Sequence, residues 1–447
     1  MKKVTRSFFS ILLVNLIYCP FLTLAQSTSW TGADDDKWRN ASNWTAGIPD
    51  LNTDAVIGDQ AFTNHPSLSK GKGRGECKSL TVGNGALAIT FSIEDGLNIT
   101  GTFTIGAMGT VNDDGGNIEI EGDWLNSGSY VAPGSNRRVY FIGTNQTIGG
   151  ASVTDFDKLY IEEGSTITLA KNITTSNFIE LSGTLDPSTF TVTGTGDIDI
   201  KGGGLLKVKA STFAGNYSHS GSTNLAKNTS IIDYASSAVN QIVDNSISYR
   251  ILQISGAMTK SLAGNTTIES DLIIKGGTLD LLDYSADRGS GGGSISIEAG
   301  AALKIGGTNS FPLNYETHVL ATTSTVEYNG ANQTVAFEGY GNLTLSSASG
   351  TITKTLPSDA LTIAGNFTTS VSAGTLDFTA ANNIDVLGDI TLGASSTFNG
   401  STFAHSTSGN WTNNGIYSGC GGTFTFNRAG ALLSGSGTNN FGDLLSN

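Results

Sequence analysis

Asn145-Gln146-Thr147-Ile148, Asn240-Gln241-Ile242-Val243 and Asn332-Gln333-Thr334-Val335 are copies of one short pattern, their glutamines 95 and 92 residues apart. A second pattern keeps the same pace: Gly183-Thr184-Leu185-Asp186 returns as Gly277-Thr278-Leu279-Asp280 and as Gly374-Thr375-Leu376-Asp377. A third is an aromatic residue closely followed by an amide or imidazole: Trp124 with Asn126, Tyr217 with His219, Tyr315 with His318, Trp411 with Asn413. Between the first two lies an aromatic-x-x-Leu step, Phe156 to Leu159, Tyr249 to Leu252, Tyr340 to Leu343 and Phe441 to Leu444. The order never changes, so the chain divides into units 139–231, 232–323 and 324–423, with a shortened fourth at 424–447. A unit repeated in this way buries its apolar face against its neighbours, which dictates an elongated shape.

Within each unit the apolar residues alternate, as in Phe190, Val192, Ile198 and Ile200, or Ile295, Ile297, Leu303 and Ile305. That period of two belongs to strands, and the Gly, Asn, Asp and Ser clusters between them are turns. No capped helical stretch of ten residues or more interrupts the pattern. The expectation is therefore an all-β chain wound as an elongated parallel β-helix, or solenoid, of short coils of about 20 residues each. Roughly twenty such coils at ~4.8 Å per rung would make a rod on the order of 100 Å long. Tandem β-sandwich domains of one unit each are the alternative, since each unit also carries the Trp or Tyr that a sandwich core uses.

The start of the chain has other business. Met1-Lys2-Lys3, the apolar run from Phe8 to Leu24 and the small residues before Gln26 have the three parts of a secretory signal, so residues 1–25 are set apart from the fold. No later segment offers the roughly 18 uninterrupted apolar residues of a membrane helix. Residues 26–60 hold three of the five tryptophans, Trp30, Trp38 and Trp44. An open β-helix exposes the edge and bore of its first coil, and aromatic bulk there suits a cap. Residues 61–138 then read as leading coils. Two cysteines, Cys77 and Cys420, remain beyond the signal, too few and too distant for a disulfide framework.

The cap segment, Trp30-Thr31-Gly32, then Trp38 and Asn40-Ala41-Ser42-Asn43-Trp44, then Gly47-Ile48-Pro49, resembles the opening of secreted β-helical, adhesin-like surface repeat proteins of didermal bacteria. The resemblance covers residues 29 to 57 and implies export, surface display, and adhesion or matrix building, with no catalytic residues to carry over. Beyond it the likeness is one of style only. The C-terminal sorting domain common in that family does not follow Leu444, and the sequence is read as a fragment.

Charge and chemistry narrow the function. A formal net charge of −14 opposes nucleic acid and anionic lipid as partners. A polysaccharide lyase or hydrolase on this fold needs clustered carboxylates and a cationic base on adjacent coils, and the 24 Lys and Arg are scattered. His65, His219, His318 and His405 share no spacing with carboxylates, and read as ladder or turn groups. Asp50, Asn52 and Asp54 alternate like the oxygen ligands of a calcium loop. Ala55 stands where such a loop wants Gly, however, and a polar turn entering a strand is the competing reading. Asp34-Asp35-Asp36 and Asp113-Asp114-Gly115-Gly116-Asn117 pose the same choice. Trp124, Tyr217, Tyr315 and Trp411 are candidates for a row of sugar-stacking aromatics, against the plainer role of packing.

These observations lead to a secreted, non-catalytic, structural or adhesive surface protein without an organic cofactor. Its expected partners are extracellular matrix, glycans or other surface proteins. A carbohydrate-binding rod is the alternative, and a polysaccharide-cleaving β-helix the third reading.

Overall fold

In the computed structural model, which describes residues 26–134, 136–225 and 228–446, the chain is a parallel β-solenoid of about 19 turns. At ~4.8 Å per rung that is a rod roughly 90 Å long. The proposed signal, residues 1–25, lies outside the described residues. All strand pairs are parallel, and an isolated antiparallel bridge joins Trp30 to Trp44 in the cap. Units 1 and 2 share one continuous 14-stranded sheet, which excludes the tandem sandwiches: a sandwich domain closes its sheets within itself.

Turn length varies more than an even coil of 20 would suggest, from 30 residues between the parallel partners Thr212 and Ile242 to 17 between Thr325 and Asn342. The alternating residues behave as their period requires. In Ile89–Ile93 and Thr53–Ile57 every second side chain is buried, and the inward Ile, Leu, Val and Phe of successive turns merge into one core along the whole bore.

The aromatic-x-x-Leu step has a geometric origin. Phe156 and Leu159 are three apart, yet both face inward, because the ladder slips between Phe156 and Lys158. The same irregularity falls between Tyr249 and Ile251 one unit later. A bulge bends the strand and resets which face a side chain takes, so the marker records a corner of the coil.

The repeating glutamine holds another corner. Gln146 donates its amide to Ile120 O and Gly122 O and accepts from Gly143 N. Gln241 does the same with Val208 O, Ala210 O and Ser236 N, and Gln333 with Ile305 O, Asn309 O and Gly330 N. Each is at most 3% exposed, so the amide satisfies backbone groups that a corner takes out of the ladder.

The unit is not a whole number of turns. From the strand Gln146–Gly149, four turns up the same sheet lead to Ile231–Tyr234, and the next copy of the pattern, Gln241–Val243, is one face further on. From Gln241–Val243, four more turns lead to Thr325–Tyr328, and the third copy, Gln333–Thr334, again advances one face. With three faces to a turn, units 1 and 2 are each four and one-third turns. Equivalent positions in successive units therefore look out in directions about a third of a revolution apart.

The cap closes the bore with packed rings. Trp44 meets Trp30 and Trp38 edge-on, at centroid distances of 5.1 and 4.8 Å, and Trp38 stacks on Phe91 of the first coils at 5.3 Å. Trp30 Nε1 donates to Asn64 O, and Trp44 Nε1 to Trp38 O. Asn43, fully buried, accepts from the Asp34 and Asp35 amides and donates to Asp35 Oδ1 and Lys37 O, which fixes the acidic loop over the rings.

Candidate functional site: two corner grooves related by the repeat

The four aromatic candidates are in the bore. Trp124 and Trp411 are 0% exposed, Tyr217 3% and Tyr315 7%. Their polar heads are satisfied there, Trp124 Nε1 by Thr154, Trp411 Nε1 by Asn439, and the two hydroxyls by Lys207 O and Ala286 O. A ring sealed on all sides cannot stack on a sugar, so the row of sugar-stacking aromatics is corrected to core packing. Trp124 and Tyr315 stand on strands of the 14-stranded sheet and Tyr217 and Trp411 on two other sheets, so the four do not form one row.

The calcium candidates do not converge either. Asp50 Oδ1 accepts from Asn52 N and Thr53 Oγ1, the arrangement of a polar turn, whose bonds hold its pKa below the ordinary carboxylate value. Asp54 stands on the following strand, Thr53–Ile57. Asp113 is buried, accepting from Tyr130 in the bore at 2.8 Å and from its own loop at Gly115 N, and burial pushes its pKa up to about 6. No cluster of three His, Cys, Asp or Glu side chains suited to a metal occurs among the described residues.

The histidines are held in backbone and turn contacts. His405, buried, accepts from Ile384 N and bonds Gly400 O, and burial lowers its pKa. His219 meets Gly196 O and Thr223, His318 meets Glu338, and His65 accepts from Thr90 N.

What the repeat does build on the surface is a pair of grooves. In unit 1 a groove of about 420 Å³ is lined by Asp186, Ser188, Thr189, Lys209, Ser236 and Ser237, with Thr168 and Ala238. In unit 2 a groove of about 330 Å³ is lined by Asp280, Leu282, Asp283, Tyr284, Asn329 and Gly330, with Gly306 and Gly307. Their floors are the same motif. Asp186 Oδ1 accepts from Ser188 N at 2.9 Å, and Asp280 Oδ1 from Leu282 N at 3.0 Å.

Ser188 and Leu282 both take the left-handed backbone conformation, at φ 51° and 52°. For residues other than glycine that costs on the order of 1–3 kcal/mol and persists where the surroundings impose it. Four residues after each aspartate stands a half-buried ring, Phe190 or Tyr284, whose carbonyl accepts from the amide of Asn216 or Asn309. The third unit lacks the ring, having Ala381 at that place.

The unit 2 groove is open because glycines stack along it: a Cβ on Gly330 would come within 2.1 Å of Gly307 O. Its wall keeps unspent polar groups. Asn329 Oδ1 is buried with no hydrogen-bond partner, and neither the Asp283 carboxylate nor the Tyr284 hydroxyl bonds a described residue. In unit 1 the charge is internally balanced, with Lys207 3.2 Å from Asp186 and Lys209 3.9 Å from it. Such walls offer acceptors, hydroxyls and one cation to a ligand that both donates and accepts.

A further groove, of about 480 Å³, lies beside the cap between residues 35–48 and 67–73. Its charges are largely engaged: Lys37 pairs with Asp35 at 2.6 Å, and Arg39 donates to Gly73 O and Arg74 O.

Sequence reasoning missed the grooves, though their floor is the Gly-Thr-Leu-Asp pattern it singled out. It also missed two buried lysines, Lys260 and Lys354, each in register with a corner glutamine. The signal for them was present in Thr259-Lys260-Ser261-Leu262 and Thr353-Lys354-Thr355-Leu356, which are 94 residues apart. No family model, curated protein or solved structure matches the chain.

Proposed function

We propose that this chain is an exported structural or adhesive rod of the bacterial surface or its surrounding matrix, working by display and contact, without catalysis. The observation that carries the reading is the in-register polar row on the outside of the later turns, Thr344, Thr368, Thr391, Thr412 and Ser434, each the lateral neighbour of the next. Hydroxyl groups repeated at a rung spacing of ~4.8 Å form a regular surface that contacts a partner many times weakly. The acidic composition, the signal-like start and the Trp-rich segment that resembles secreted surface proteins point the same way. Among the described residues no helix is long and apolar enough to cross a membrane.

The test is retention under flow. Beads coated with the chain from Gln26 onward are passed over glycoprotein, polysaccharide and cell-surface coatings, with release of reducing ends or unsaturated sugars assayed in parallel. Retention without product release is the expected result. Beads that wash off every coating, or a coating that is cleaved, would overturn the reading, and cleavage would favour a polysaccharide-degrading β-helix.

A further inference from the structure

We propose that the Asp186 and Asp280 grooves are two copies of one saccharide subsite, set on different faces, so that a single rod bridges two neutral glycan chains. The proposal rests on the adhesive reading and names its ligand.

The equivalence comes from structure. Both floors carry an aspartate bonded to a left-handed residue two positions on. The ring four positions on has its carbonyl clamped by an asparagine in both units, but it lines the groove only in unit 2, as Tyr284, while Phe190 packs against the core. Core packing accounts for the inward residues of the repeat, but it does not call for a strained Leu282 that is 43% exposed at the groove mouth. Nor does it account for Asn329 Oδ1, an acceptor buried in the wall without a donor. A buried orphan acceptor is costly and favours a ligand hydroxyl that fills it.

The polar groups select the ligand class. In unit 2 Asp280, Asp283 and Asn329 supply acceptors beside the half-buried ring of Tyr284; in unit 1 Asp186 supplies an acceptor, Lys209 a donor, and Ser188, Thr189 and Ser237 hydroxyls that do both. A sugar offers hydroxyls that donate and accept and an apolar ring face, which these walls match. An anionic polymer would meet Asp280 and Asp283 unpaired in unit 2 and the net charge of −14 overall. Neutral glycan is therefore the occupant.

The pitch of the repeat adds the consequence. The groove strands Thr184–Asp186 and Thr278–Asp280 belong to different sheets, four turns and one face apart. Sites on one face would let the rod lie along a single polymer, whereas sites a third of a revolution apart hold two.

The experiment uses the chain from Gln26 onward and three neutral polysaccharides, mannan, laminarin and xyloglucan, in affinity gel electrophoresis, with light scattering of protein–polymer mixtures. Two variants act at exposed or half-buried groove positions that the fold tolerates, Thr189→Ala with Ser237→Ala, and Asp283→Ala with Asn329→Ala. At least one polymer is expected to retard the wild-type chain, each variant weakening apparent affinity about tenfold through loss of bivalency. Scattering should peak at intermediate protein ratio for the wild type and vanish in either variant.

Retardation unchanged in both variants overturns the proposal while leaving the adhesive rod standing. So does binding without a scattering peak, since the grooves then do not bridge. If no neutral polymer is bound but polylysine is, and the Asp283 variant releases it, the occupant is a cationic peptide and the proposal fails. If nothing is retained here yet the coated beads still hold under flow, the rod adheres through other surfaces and the grooves are not its site.

Discussion

The hydroxyls of Tyr234 and Tyr249 lie 2.9 Å apart in the bore, in a closed relay: Asp244 N donates to Tyr234, and Tyr249 donates to Asp244 O. One unit later Tyr328 and Tyr340 repeat it at 3.0 Å, with Ala336 N and Ala336 O at its ends. Units 1 and 4 place Phe141 with Phe156 and Phe424 with Phe441 in contact instead, at centroid distances of 6.3 and 5.4 Å. The bore thus accepts either a dry ring pair or a fully bonded tyrosine pair.

A half-bonded pair is the costly state. Tyr249→Phe and Tyr234→Phe should each destabilise by about 1–2 kcal/mol, because a buried group loses its partner. The double variant should cost less than the sum, with a coupling of about 1 kcal/mol, since the shared bond is lost once. Urea titration of the four proteins, followed by hydrogen exchange of the turn at Asp244, measures the coupling; strict additivity would mean the relay contributes nothing.

All five tryptophans are shielded, the most open being Trp44 at 5%. Emission should therefore be blue-shifted and resist iodide quenching, with or without glycan. Trp124→Ala should cost about 3–5 kcal/mol as a core truncation, because Phe103, Tyr130 and Phe156 all pack on that ring. Iodide quenching of Trp124 or Trp411 would reopen the stacking role that their burial rules out.

Alkaline pH should stabilise the rod. Lys260 and Lys354 are buried against backbone carbonyls, Lys260 donating to Ser236 O, Gly256 O and Met258 O, and burial lowers both pKa values to about 8 from 10.5. Between those values the unfolded chain binds more protons than the folded one, so stability rises with pH across the window. The gain should be on the order of 1–3 kcal/mol per lysine. Lys260→Met with Lys354→Met should flatten the rise, as unit 1 manages with Ile167 in the same register beside Gln146. A melting temperature equally pH-dependent in both proteins would place the effect elsewhere.

On the acid side His405 and Asp113 act in opposite directions. His405 has a folded pKa below 6.5, so its neutral state is favoured and stability is lost as pH falls from 6.5 toward that folded value. Asp113, raised to about 6 from 3.8, prefers its proton in the folded state, and stability is gained as pH falls through that interval. Relative to the wild type, His405→Gln should thus lessen the loss of stability as pH falls below 6.5, and Asp113→Asn should remove a gain between about pH 6 and 4. Thermal melts at half-unit steps distinguish these outcomes, and identical profiles for the two variants would contradict both assignments.

The fold was legible because the bore is lined by the residues that repeat. Gln146, Trp124 and Phe156 recur since each satisfies or fills the same interior place in every unit, and interior places tolerate little change. The same logic hid the surface. A residue locked to the period reads equally as core or as a displayed site, and Trp124 belonged to the first kind. The grooves stayed out of reach because their walls come from successive turns, Asp280, Gly306 and Asn329, whose alignment depends on turn lengths running from 17 to 30 residues. Nor does spacing in residues reveal the extra third of a turn, which exists only once each strand has a face.

That extra third gives the sharpest structural prediction. Gln146 and Gln241 clamp equivalent corner carbonyls, so joining Gln146 directly to Ile242 removes one whole unit and leaves each strand beside a neighbour of the type it had before. The shortened chain should fold, melt cooperatively, and lose roughly 20 Å of length by small-angle scattering, four and one-third rungs at ~4.8 Å. Removing a comparable block between non-equivalent positions, such as Leu169 joined to Ile251, sets inward side chains against the wrong corners and should yield an unfolded or aggregated product. If both deletions fold equally well, the register of the repeat is not what holds the turns in place. If neither folds, stability is shared along the rod beyond nearest neighbours, contrary to what stacked repeats require.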